Sequence, residues 1–190
     1  MATLVREVLV MPPGCRSSAA ASFIAQLDDQ TTRLTADTRA LTPAALEWQP
    51  APGLNTIGML LAHIAVVEAF WTQVGPLGLT EFETKSVIGI GTDDDGMPLA
   101  AGGAPPANLR GKDIAYFDDL LARARTYSRQ AIARLTDADL EREITRTRRD
   151  GSVHMTTVRW ILYHMVEHQA GHYGQINLLA HQHRLATPRG

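Results

Sequence analysis

The sequence predicts an all-α fold: a four-helix bundle with long crossover connections and a small hairpin before the last helix. Four stretches repeat apolar residues at helical spacing, and the connections between them are very unequal in length. Only one short stretch alternates in the manner of strands. The 190 residues, 45% hydrophobic and 20% charged, suit a single domain over residues 1–190 with a core of its own.

The first helix is expected over residues 18–40, with Phe23, Ile24, Leu27 and Leu34 on one side. A short helical turn follows, with Thr42 as N-cap and Pro43 in the first helical position. Residues 49–53, rich in proline, break the chain. Asn55 then stands as cap for a second helix over residues 56–74, apolar nearly all round and therefore central. Residues 75–112 turn to Gly, Pro, Asp and small side chains and sustain no helical face. So long a connection reads as a lid, an interface segment or a partly disordered stretch, and substrate contacts are expected from it.

The third helix is expected over residues 113–135, carried by Phe117, Leu120, Leu121, Ala124 and Ile132. Thr136 opens another short turn. Residues 143–156 alternate around Asp150 and Gly151, as a hairpin does. Thr156 or Thr157 caps the last helix, which runs to about Arg184, and residues 185–190 read as a frayed tail.

Composition excludes several classes of function. A formal net charge of −2 offers no basic excess for neutralising phosphates, so no nucleic-acid partner is expected. Polar residues interrupt the apolar runs, so no membrane span is expected. Arg6 and Glu7 spoil the order of a secretory signal, and a lone Cys15 permits no internal disulfide. The chain reads as cytoplasmic.

Seven histidines remain to be placed. At about 100° per residue, Ile161, Met165, His168, His172, Ile176 and Leu179 share one stripe of the last helix. His168 and His172, four residues apart, can point at one site. His164 falls at the edge of that stripe. In the second helix His63 sits with Leu60, Val67, Phe70, Trp71 and Val74, opposite a small side of Gly58, Ala62, Ala65 and Ala69. Imidazoles in apolar surroundings need partners. A divalent metal is one answer; a backbone carbonyl or a carboxylate for each ring is the other.

With these residues placed, the chain resembles the DinB-like superfamily of bacterial metal-binding four-helix bundles. Leu41, Thr42, Pro43, Leu46, Trp48 and Pro50 match that family's Leu-Thr-Pro-x-x-Leu-x-Trp-x-Pro pattern, which leads to a ligand histidine, here His63. His168, His172, Gly174 and Gln175 match its His-x-x-x-His-x-Gly-Gln pattern. The resemblance implies a metal triad of His63, His168 and His172, a homodimer, and a substrate pocket opening onto the metal. It also implies an enzyme in which a bacillithiol- or mycothiol-like thiol serves a transferase or isomerase reaction on a small electrophile. A non-catalytic, stress-linked metal-binding bundle and a metal-dependent hydrolase are the alternatives. Zinc or nickel suits the three histidines first, with iron or manganese also compatible.

Around that site Gln175 is expected either to orient a ligand histidine or to sit on the bundle seam, and His164 to stand just outside the ligand set. Gly171 and Gly174 are expected to let helices approach closely. Glu68 and Glu167 are expected at the surface, with bonding to a ligand histidine as the other option. Trp48, Phe70, Trp71 and Tyr163 are expected in the core or a pocket wall. His154, His181 and His183 have no expected role, and Cys15 is expected to be inert. Arg146, Arg148 and Arg149, with Arg142 and Arg159 nearby, form either a solvated edge or a collector for an anionic substrate.

Overall fold

Thr42, Thr56, Asp113, Thr136 and Thr157 each start a helix for one reason: a side-chain oxygen accepts a first-turn N–H that has no partner within the helix. The computed structural model describes residues 8–147 and 150–187. Along them lie α1 (Ser18–Thr38), α2 (Pro43–Glu47), α3 (Ile57–Val74), α4 (Lys85–Ile88), α5 (Ile114–Ile132) and α6 (Asp137–Leu140). Strands β1 (Glu143–Thr147) and β2 (Val153–Thr157) then lead into α7 (Val158–Ala186). The chain is mostly helical, with one antiparallel two-stranded sheet among the described residues.

Several helix ends differ from expectation: α1 stops at Thr38 and α5 at Ile132, short of the expected residues 40 and 135. The cap of α3 is Thr56, whose hydroxyl oxygen accepts from Met59 N at 3.1 Å, and not Asn55. At the other end, Leu185 and Ala186 continue α7 and are not a frayed tail.

The four long helices make a closed ring of neighbours, since α3 packs on α5 and α7 and α1 packs on the same two. The small side of α3 explains its central place. Gly58 lets Phe117 and the Leu46 carbonyl approach so closely that a Cβ there would lie 2.9 Å from Phe117 Cζ and 3.3 Å from the oxygen. Gly171 and Gly174 do nothing comparable. A Cβ on either would meet no atom, so the expected close helix approach is absent among the described residues. By length and composition α3 is apolar enough to cross a membrane, contrary to the expectation that no run would be; 78% of it is buried inside the protein, which accounts for that character.

The connection between α3 and α5 is part of the core. Its α4 packs on α5 and α3, and Ile88, Ile90 and Leu109 are buried. Apolar packing divides into two clusters. One joins α3, α5, this connection and Ile176 of α7; the other joins the start of α1 with Ile132, Leu140, Ile161 and Met165. Along α7, His168, Gln169 and His172 fall between Met165 of one cluster and Ile176 of the other. Polar side chains occupy that seam.

Candidate metal centre

Helix geometry brings the three histidines together. His168 and His172 are one turn apart on α7, and His63 faces them from α3. Nε2 of His168 lies 3.1 Å from Nε2 of His63 and 3.1 Å from Nε2 of His172. One ligand atom from each residue falls within 4.8 Å of the others, and all three side chains are partly buried.

The far side of two rings decides which nitrogen carries hydrogen. Nδ1 of His63 lies 2.8 Å from Oδ2 of Asp95, which is 1% exposed. A carboxylate only accepts, so His63 donates through Nδ1 and turns Nε2 toward His168. Nδ1 of His172 likewise donates to Oε1 of Gln175 at 2.7 Å. Burial, with the neighbouring His172 and His63 adding to it, pushes His168 down to about 3, so its ring is neutral near pH 7. Burial also holds His172 below the ordinary imidazole range.

Three rings thus converge on one point, with Nε2 of His63 and of His172 turned inward. A proton on His168 Nε2 cannot satisfy both neighbours fully, whereas a cation satisfies all three. Nitrogens about 2.0–2.1 Å from a tetrahedral zinc stand about 3.3 Å apart, close to the spacing seen here. The donor set fits a divalent metal, with Asp95 and Gln175 holding the ligand rings in tautomer and orientation.

Asp95 is the residue the sequence did not disclose. It lies within a run of three aspartates in the irregular connection, where no periodicity assigns a direction. The Asp95 backbone segment is pinned by Met97 N donating to Oδ1 at 2.9 Å. Glu68, expected at the surface, is 4% exposed and bonds no ligand histidine. It accepts from Arg125 Nε at 2.7 Å and Nη2 at 2.9 Å, and Ser128 donates to it as well. Arg125 Nη2 also donates to Oε1 of Gln169, the residue after His168, at 3.0 Å. Glu167 is exposed as expected and lies 3.2 Å from His164 Nδ1, with Tyr163 and His164 lowering its carboxyl.

A continuous row of rings leads away from the triad. His172, His168, His164 and Trp160 follow one another at four-residue steps, with centroid separations of 4.4, 5.7 and 5.1 Å. His164 is stacked on Trp160 and meets Trp71 edge-on at 5.6 Å. It therefore stands beside the ligand set and not in it. Of these rings Trp71, Trp160 and His164 form one wall of a cleft of about 810 Å³, completed by Arg146, Thr147, His154, Met155, Thr156 and Thr157. None of its lining comes from residues 75–112, so that connection serves the triad through Asp95 and does not line this cleft.

The remaining candidates separate. Arg142 donates to the carbonyls of Gly75 and Pro76, and Arg159 pairs with Glu141. Arg148 and Arg149 lie outside the described residues. Arg146 alone of the described arginines lines the cleft, its guanidinium over the rings of Phe70, Trp71 and Phe82. His154, expected without a partner, lies 3.1 Å from Ser152 Oγ and also lines the cleft. Tyr163, expected in core or wall, is 51% exposed. Trp48 meets the ring of His183, and Cys15 is half-buried against the second cluster.

The model of the DinB superfamily matches residues 26–176, most of the chain and all three histidines. The chain belongs to the DinB superfamily. The match runs through α3, the connection bearing Asp95, and α7 as far as Ile176, so it spans the three candidate ligands together with Asp95 and Gln175. No curated protein matches the chain.

Proposed function

We propose that the protein is a single-domain four-helix bundle over residues 1–190 that binds one divalent metal through His63, His168 and His172. On this basis it is a transferase or isomerase for a low-molecular-weight thiol and a small electrophile. Zinc or nickel fits three imidazoles first, and iron or manganese follows. A divalent cation bound there would lower the pKa of a thiol or water in its remaining coordination positions.

The single observation that carries the proposal is the inward turn of the ligand nitrogens, with Asp95 and Gln175 accepting from the outward ones. The chain's own residues do the positioning. Asp95 and Gln175 keep hydrogen off Nε2 of His63 and His172, and burial keeps His168 neutral. His164 and Trp160 join the triad to a cleft large enough for a small organic molecule. A homodimer and a cytoplasmic, bacterial setting belong to the same proposal; the family resemblance supports the dimer.

Thiol consumption tests it. Protein loaded with zinc or nickel is incubated with a cysteine-based thiol and a panel of electrophiles, and free thiol is followed. Consumption that requires the metal and disappears in His168→Ala/His172→Ala supports the transferase. Stoichiometric metal with no thiol loss across the panel would favour the binding protein instead.

A further inference from the structure

We propose that the cleft beside the triad takes an anionic, flat molecule, a carboxylate joined to an aromatic or unsaturated body, and that Arg146 selects it. This rests on the metal reading only in treating the cleft as the substrate's place.

Charge is the first support. Of the nine described residues lining the cleft none is Asp or Glu, although the chain as a whole has a net charge of −2. Its charged and polar side chains are Arg146, His154, His164 and three threonines, all able to donate to an anion. Arg146 provides a permanent charge. Its guanidinium lies 4.9 Å from the Phe70 ring centroid, 5.3 Å from Trp71 and 5.5 Å from Phe82. Such stacking uses the guanidinium face, whereas recognition of a carboxylate uses its edge, so one interaction does not preclude the other. The stack also fixes a long side chain in advance of binding, which reduces the entropy lost on association.

Shape is the second support. Trp160 is stacked on His164 at 8° between planes, and Trp71 stands edge-on to His164 at 85°. Trp160 is 43% exposed with its ring at the cleft wall, the placing of a contact surface and not of a core residue. Flat bodies pack on such walls with little loss of side-chain freedom.

Binding of trans-cinnamate, trans-cinnamamide and acetate is measured by calorimetry and tryptophan fluorescence, in metal-loaded protein and in protein held in chelator. Cinnamate is expected to bind at least about tenfold tighter than either comparator in both metal states. Arg146→Gln should abolish the preference over the amide, and Arg146→Lys should restore it partly. Equal binding of cinnamate and cinnamamide by the wild type overturns the proposal without any variant. So does a preference that survives Arg146→Gln, or one present only with metal bound. A protein that takes no metal yet prefers cinnamate through Arg146 would sink the metal reading and leave this one standing.

Discussion

Asp95 Oδ2 accepts a hydrogen bond from His63 Nδ1 at 2.8 Å, joining a buried carboxylate in an irregular connection to a histidine on the central helix. That bond fixes the His63 ring with Nε2 facing His168, which in turn meets His172. It also makes the connection between α3 and α5 a part of the site.

Replacing Asp95 should therefore weaken metal binding with all three ligands intact. For Asp95→Ala the expected loss is about 10–100-fold in affinity, read by competition with a chromophoric chelator. Gln175→Ala, which removes an exposed neutral acceptor, should lose less. Affinity unchanged in Asp95→Ala would separate this carboxylate from the site.

The Arg125–Glu68 pair is a second buried relationship, linking α5 to α3 and, through Gln169, to α7. Arg125→Met alone leaves Glu68 buried without its counter-charge and should destabilise the protein by about 3–5 kcal/mol in urea unfolding. The double variant Arg125→Met/Glu68→Leu should recover much of that loss, because it removes both charges. A double variant no more stable than the single one would contradict a desolvation origin.

Why some of this was legible in the sequence and some was not follows from where each residue sits. His63, His168 and His172 lie on long helices, where a fixed rotation per residue turns spacing into direction. Asp95 lies where no such rule holds. The helix of Glu68 does hold the signal against a surface place: Glu68 is the one Asp, Glu, Lys or Arg in a mostly apolar α3, so it has no solvated face to occupy. Arg125 lies on the buried face of α5 with Leu121, Ala124 and Ser128, and the two charges were not read as a pair because periodicity gives no distances between helices. Gly171 and Gly174 were read as packing residues from their type alone, and their exposure on α7 removes that reason.

The glycines give a direct stability contrast. Gly171→Ala and Gly174→Ala should each raise stability by about 0.5–1 kcal/mol, since a methyl group meets nothing there and helix propensity improves. Gly58→Ala should lower it by about 1–3 kcal/mol, because Phe117 must move. Thermal unfolding of the three variants decides. Stabilisation by Gly58→Ala would show that the α3–α5 contact is looser than described.

The pH dependence of the metal-free protein has a definite sign. Unfolded, His168 takes up a proton near its ordinary 6.5; folded, burial first and the neighbouring His172 and His63 next delay that to about 3. Between those values the unfolded chain binds more protons, so stability falls as pH drops through the window and is fully present above it. His172, lowered by burial, acts in the same direction. Urea midpoints measured in chelator should fall on acidification, and His168→Leu should flatten that slope. An unchanged slope in His168→Leu would assign the pH dependence elsewhere.

Metal content tests the central claim most directly. Protein purified without chelator, loaded with zinc or nickel and freed of excess, should carry one ion per chain by elemental analysis. His63→Ala and His168→Ala/His172→Ala should carry none while retaining helical circular dichroism. A folded wild-type protein that holds no stoichiometric divalent ion after loading, or either variant holding as much as the wild type, would contradict the account.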